Sequence, residues 1–168
     1  MKPKEKHPMT LQITPVREDD MPFLWDMLYA MIHIPENKPP QEVLLAEPGI
    51  RSCLEGWGRP GDSGWIVRTA EGRPVGTAWY RLHTAAQPGY GFVDEQTPEL
   101  SVGVLPGLEG QGIGSLLLRH LIAEAAKAGY PALSLSVAPG NAALRLYERL
   151  GFERCGESGT SWTMRLKL

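Results

Sequence analysis

The segment Val104-Leu105-Pro106-Gly107-Leu108-Glu109-Gly110-Gln111-Gly112-Ile113-Gly114 constrains the fold more than any other part of the chain. Before it, Leu100, Val102 and Val104 alternate with Glu99, Ser101 and Gly103, the period of a strand with two unlike faces. After it, apolar residues recur at helical spacing from about Gly112 to Ala128, and Gly129 and Pro131 end the pattern. Leu133, Leu135 and Val137 then alternate with Ala132, Ser134 and Ser136, which reads as a second strand. Strand, loop, helix and strand in that order imply a right-handed crossover between parallel neighbours.

The flanking segments call for antiparallel pairing. Leu11-Gln12-Ile13-Thr14 reads as a short first strand. Glu18-Asp19-Asp20 announces a helix, with Asp20 as its N-cap, Pro22 in its first turn and Pro35 as its stop. Residues 35–61 are irregular, with a helix from Gln41 that breaks near Pro48-Gly49 and resumes through Cys53. Trp65-Ile66-Val67 and Val75 to Leu82 flank a turn at Ala70-Glu71-Gly72 as a hairpin, and Ala85 to Thr97 is a loop. Asn141 to Leu150 reads as a helix stopped by Gly151, and strands near Glu153 and from Ser161 to Lys167 close the chain. The expected fold is a mixed α/β domain with a mostly antiparallel central sheet of about six or seven strands and helices on both faces. A chain of 168 residues suits one such core, placed at residues 11–168 behind a flexible tail at residues 1–10.

Charge and cysteine usage exclude several functions. A net charge of −2 and a pI of about 6.1 give no basic face for nucleic acid or an anionic membrane. The longest apolar stretch, Ile113 to Ala126, is interrupted by Ser115, Arg119, His120 and Glu124, so no bilayer span is expected. The positively charged start, Met1 to Pro8, is followed by no apolar segment, which points to a cytoplasmic protein rather than a secreted one. Cys53 and Cys155 stand far apart with no CxxC or Cys/His cluster, which fits a reducing compartment and implies no metal site.

The loop itself suggests an anion site. A strand that feeds a helix through glycines presents several backbone N–H groups at the positive end of the helix dipole, with no Cβ atoms to hold an anion off. A diphosphate suits that cradle; a plain flexible connector is the other reading. No lysine stands in the loop, against a nucleoside triphosphate site. A dinucleotide fold would place an acid at the end of the following strand, where Val137 and Ala138 stand.

Glu99 to Gly114 and Val137 to Phe152 resemble the two signature regions of the GNAT superfamily of acetyl-coenzyme A-dependent N-acetyltransferases. The opening Ile13 to Asp20 is similar to that family's usual start, and the order of elements agrees from Leu11 to Leu168. Gly112 and Gly114 match the family's loop, but Glu109 stands where Gln or Arg is usual. A carboxylate facing a diphosphate would be repelled, so Glu109 is expected to point into solvent. The resemblance implies that acetyl-CoA is held by Val102, Gly103 and Val104 on the strand, by Gly110, Gln111, Gly112, Ile113, Gly114 and Ser115 at the helix mouth, and by Asn141 and Tyr147 on the second helix.

Amine acetylation poses two proton problems. An alkylamine of pKa near ~10 must lose a proton before it attacks, and a thiolate of thiol pKa ~8.5 leaves more readily when a donor meets it. The resemblance places the Tyr147 hydroxyl near the thioester sulfur, and Glu99, at the strand start, is the candidate base, with His83 in reserve. Taken singly, Tyr147 also reads as a core tyrosine, Asn141 as a helix cap and Glu99 as a solvated carboxylate. In such a fold the acceptor pocket is built by the first helices and the loop after the third strand, which supply Tyr29, His33, Trp57, Tyr90, Phe92, Asp94 and Glu95. The expected acceptor is the primary amine of a small molecule. A protein N-terminus or lysine, and a non-catalytic acyl-CoA sensor, are the other readings, and the family also implies a possible homodimer.

Overall fold

The computed structural model describes residues 10–168; the tail expected at residues 1–10 lies, apart from Thr10, outside the described residues. Strand β1 (Leu11–Pro15) leads through a 3-10 turn (Glu18–Asp20) into helix α1 (Met21–Met31) and the short helices α2 (Gln41–Leu44) and α3 (Pro48–Arg51). Strands β2 (Ser63–Thr69), β3 (Pro74–Arg81) and β4 (Glu99–Val104) follow, then helix α4 (Ile113–Lys127), β5 (Ala132–Val137), α5 (Leu144–Arg149), β6 (Glu153–Ser158) and β7 (Ser161–Lys167). The seven strands form one sheet in the order β1-β2-β3-β4-β5-β7-β6. Every neighbouring pair is antiparallel except β4 and β5.

The two-face alternation of the strands divides the core into two layers. On one face, Ile113, Leu117, Leu118, Leu121 and Ala125 of α4 recur at helical spacing and pack on Val67, Ala78, Tyr80, Leu100, Leu133 and Leu135. On the other, Leu24 and Leu28 of α1 pack with Leu54, Ile66 and Trp79. Burying each such side chain is worth roughly 1.5–3 kcal/mol, so apolar contact on both faces holds the sheet between its helices.

One charged residue is part of that interior. Arg81, 1% exposed at the end of β3, donates to both carboxylate oxygens of Asp62 at 3.0 and 2.7 Å and to the carbonyls of Ser52 and Glu55. The guanidinium therefore pins the irregular segment after α3 against the sheet. Arg81→Ala leaves the buried Asp62 carboxylate without its cation, held only by the Gly58 and Arg59 N–H groups, and is expected to lower stability by about 3 kcal/mol, read by thermal or urea unfolding.

Three expectations are corrected. Asp20 stands at the N-cap position of α1, but its side chain makes no capping hydrogen bond there, its backbone being already helical at φ −85° and ψ −12° at the end of the 3-10 turn. Its carboxylate reaches back instead, accepting from the Arg17 N–H at 2.8 Å and pairing with Arg68 of β2. The helix expected from Asn141 is regular only over Leu144–Arg149. There the Asn141 Oδ1 accepts from the Ala143 N–H at 2.9 Å, a local turn that competes with helical pairing. The helix expected to run through Cys53 ends at Arg51, and the residues after it are turns.

Candidate active site

The site begins with a gap in the sheet. β4 and β5 share one register pair, Glu99 with Ser134, anchored by the Ser134 N–H donating to the Pro98 carbonyl at 2.9 Å. Beyond that rung the two strands part. Leu105 donates its N–H to Val75 of β3, and strand N–H groups alternate sides, so those of Gly103 and Ser101 also face β3. The backbone groups of Val102 and Val104 consequently face the gap. A cleft of about 990 Å³ occupies it.

The Gly-rich loop closes one end of the cleft. Gly110 and Gly112 have φ of 78° and 82°, which glycine alone adopts without strain, and nothing lies within 4 Å of where their Cβ atoms would stand. The first N–H groups of α4 have no partner within the helix, so they point toward the cleft floor formed by Gly112, Ile113, Gly114 and Ser115. An open cradle of this kind fits a diphosphate. The Glu109 carboxylate is exposed and folds back on its own loop, accepting from the Gly107 N–H at 2.8 Å. That contact resolves the departure at this position, since the charge is turned onto a backbone donor.

The remaining predicted cofactor residues gather around the same cleft, except Gln111, which is exposed and not among its lining residues. Gly103 is buried with its open side toward α1, where the methyl groups of Met27 and Met31 come within 3.0 and 3.1 Å of a notional Cβ. Asn141 lines the cleft with its carbonyl oxygen engaged by Ala143, leaving its amide nitrogen to donate. Tyr147 stacks edge-on against Phe152 at 6.0 Å and also lines the cleft. Burial pushes its hydroxyl up to about 12, so it stays a neutral donor at any physiological pH.

Glu99 stands at the opposite end, 9% exposed. Burial pushes its carboxyl up to about 7, against the lowering pull of the Gly91 N–H that donates to Oε1. Among the described residues its Oε2 has no hydrogen-bond partner; the His83 Nε2 lies 3.3 Å away. Burial, then Arg81 and Arg59, lower the His83 imidazole to about 4, so the contact is not an ion pair at neutral pH. Gly89 and Gly91 lie against this carboxyl so closely that a Cβ at either would stand 1.8 Å from Oε2 or 2.6 Å from Oε1.

The predicted acceptor residues separate. His33 and Tyr90 line the cleft; Tyr29, Trp57, Phe92, Asp94 and Glu95 are not among its lining residues. The Tyr29 hydroxyl donates to the Pro39 carbonyl at 2.8 Å, and Trp57 lies against Arg81 at 5.6 Å. Asp94 and Glu95 are exposed and accept from the Gln96 and Ala85 N–H groups, so their charge shapes the loop instead of facing an acceptor. Sequence reasoning missed Met27, Met31, Ile50, Cys53 and Ser136, all of which line the cleft. Apolar residues at helical spacing read as core, and no local signal distinguishes a cleft wall from an interior. Among the described residues no group of His, Cys, Asp and Glu could hold a metal ion, and no helix is long and apolar enough to cross a membrane.

Comparison with known proteins identifies the family and the fold. The model of the GNAT acetyltransferase family matches residues 25–152. The mycothiol acetyltransferase of Streptomyces avermitilis is 33% identical over 155 residues, 89% of this chain and 44% of that protein. A ribosomal-protein-alanine N-acetyltransferase of Escherichia coli is 46% identical over 61 residues, 36% of this chain and 40% of that protein. The matched regions thus cover less than half the length of each of these relatives. The crystal structure of the ribosomal-protein-alanine N-acetyltransferase from Brucella melitensis superposes with a TM-score of 0.67 at 28% identity, covering 94% of this chain and 99% of that one. An open-edged β4, a glycine cradle at the mouth of α4 and a match across most of the chain lead to one assignment: this chain belongs to the GNAT family of acetyltransferases.

Proposed function

We propose that this acetyltransferase acts on the primary amine of a small molecule, by direct attack with Glu99 as base and Tyr147 as the donor beside the sulfur. Acetyl-CoA is the cosubstrate, and it supplies an acetyl group activated as a thioester. The observation that carries the reading is one cleft lined at its two ends by a diphosphate cradle and by a buried carboxyl raised to about 7. Gly110, Gly112, Ile113 and Gly114 hold the diphosphate, and the free edge of β4 at Val102 and Val104 pairs with the pantetheine arm. A backbone N–H fixed there also stabilises charge that develops on the thioester oxygen. Glu99 accepts the acceptor's proton close to neutral pH, where a base is most effective.

Tyr147 stays protonated, and passing its proton outright to a thiolate of pKa ~8.5 is uphill. It works as a hydrogen-bond donor to the leaving sulfur. A hydrogen bond to a charged group is worth about 1.5–3 kcal/mol, so Tyr147→Phe is expected to lower kcat about 10- to 100-fold. The KM for acetyl-CoA should stay within about twofold, because that contact strengthens as charge develops. Release of free thiol measures both.

The small-molecule preference rests on the acceptor end. Tyr90 packs on Gly49 of α3, and Gly91 packs on the backbone of Leu135 and Ser136, so residues 89–91 bridge the cleft over Glu99. At the acceptor end Glu99 is the acidic residue lining the cleft, Glu109 standing at the other end with its carboxylate turned onto the Gly107 N–H, which suits an amine with one positive charge better than a polyamine. The likeness to ribosomal-protein-alanine N-acetyltransferases favours a second reading, a protein N-terminus. Two free cysteines, Cys53 and Cys155, fit a cytoplasmic enzyme. Incubation with acetyl-CoA and either a small-amine panel or peptides with N-terminal alanine, followed by mass spectrometry, decides between the acceptors. Acetylation of peptides alone overturns the small-molecule reading; tight acetyl-CoA binding with no product from either panel indicates a sensor.

A further inference from the structure

A second cavity, about 300 Å³, lies behind the catalytic carboxyl. Glu55, Arg59, Thr84 and Gln87 line it together with His83 and Leu82, so its walls are half polar and can hold water. Glu99 lines the main cleft and is absent from this second lining. His83 is the reverse case, lining the second cavity while its Nε2 sits 3.3 Å from the Glu99 Oε2. The imidazole is therefore the partition between a space with room for several waters and a carboxylate oxygen that has no hydrogen-bond partner among the described residues. Gly89 covers the same oxygen from the loop side, its notional Cβ 3.1 Å from the His83 ring and 1.8 Å from Oε2. Arg81 holds the far wall by bonding the carbonyls of Ser52 and Glu55, so the partition separates two fixed spaces.

We infer that His83 is a positioning residue: its ring seals the Glu99 carboxyl from the second cavity, so that this group meets solvent and acceptor from the cleft side alone. The inference rests on Glu99 being the base of the proposed reaction, and it adds what keeps that base fit for its task. An unsealed carboxylate would be hydrated from behind, and hydration favours the ionised form. Arg81, Arg59, Asp62 and Cys53 face the pair from β3 and the segment after α3, and Glu55 faces it across the second cavity. Burial first, then Arg81 and Arg59, keep the imidazole neutral, which matters because an imidazolium at this distance would pull the carboxyl's proton affinity down.

The test is an infrared titration of the full chain with 13C-labelled glutamate, in which subtraction of the Glu99→Gln spectrum isolates this carboxyl. The wild-type midpoint is expected near 7, and that of His83→Ala shifted down toward the ordinary 4.5 as the two cavities merge. His83→Phe, which refills the wall without a ring nitrogen, should keep the midpoint near that of the wild type. His83→Asn shortens the wall and should shift it in the same direction as alanine, which keeps the test decisive if the alanine variant does not fold. An unchanged midpoint in the alanine or asparagine variant overturns the seal. So does a fall with phenylalanine as large as that with alanine, since a hydrogen bond would then be what matters. No acceptor is needed for this reading. If Glu99 titrates as expected while Glu99→Gln acetylates at the wild-type rate, the base assignment falls and the seal stands.

Discussion

Gly112→Glu is expected to weaken acetyl-CoA binding by at least ~10³-fold in calorimetry while the protein still folds. Two effects act together. The new carboxylate stands at the mouth of α4, where the helix dipole and unpaired N–H groups otherwise receive a diphosphate, and it repels the ligand's charge. It also displaces hydrogen bonds to that charge, each worth about 1.5–3 kcal/mol, so losing two removes about 3–6 kcal/mol, which together with the repulsion reaches the ~4 kcal/mol that a thousandfold requires. Folding suffers less. Nothing lies within 4 Å of the added Cβ, so the penalty is the backbone strain of a side chain at φ 82°, on the order of 1–2 kcal/mol. Gly112→Ala carries the same strain without the charge and should bind far better than the glutamate variant. Equal affinity of the glutamate variant and wild type refutes the diphosphate cradle.

Glu99→Gln should lose activity and gain stability. Removing a general base lowers kcat/KM by roughly 10²–10⁴-fold, with acetyl-CoA affinity unchanged because the carboxyl lies at the far end of the cleft. In the wild type kcat/KM should rise with pH through about 7 as the carboxyl ionises, and the glutamine variant should lack that limb. The stability effect has the opposite sense. The folded carboxyl titrates near 7 and an unfolded one near 4.5, so between these values the folded state binds the extra proton. Its contribution is present below about 4.5 and is lost as pH rises through 7, which makes the ionised wild-type side chain a burden on the fold at pH 8. Glutamine has no such burden and should be more stable there by on the order of 3 kcal/mol. His83 runs the other way. Its folded value near 4 gives a contribution that falls as pH drops below 6.5, so comparing the two proteins across pH isolates Glu99.

The local chemistry of the site was largely legible in the chain. Alternation places β4 at Glu99–Val104 and β7 at Ser161–Lys167, and the glycines between β4 and α4 already read as an anion cradle. What escaped depends on contacts between distant segments. The parting of β4 from β5 has no sequence signature, because both strands keep a regular alternation past the point where they diverge. Gly89 and Gly91 look like ordinary loop glycines until Glu99 is seen packed beneath them. Asp94 and Glu95 read as an acidic pair facing an acceptor, and only the folded loop shows both carboxylates bonded to their neighbours' N–H groups. The same limit applies to Asp20, whose partner Arg68 lies 48 residues away.

The lone rung between Glu99 and Ser134 has a mechanical consequence. It leaves β1 to β4 and β5 to β7 as two half-sheets sewn together at one stitch, with α4 as the strap between them. A pantetheine lying along Val102 and Val104 would act as a surrogate strand filling the seam. The ligand should therefore knit the halves into one cooperative unit, and amide exchange should slow on both sides of the seam when it is present, in β5 as well as in β4.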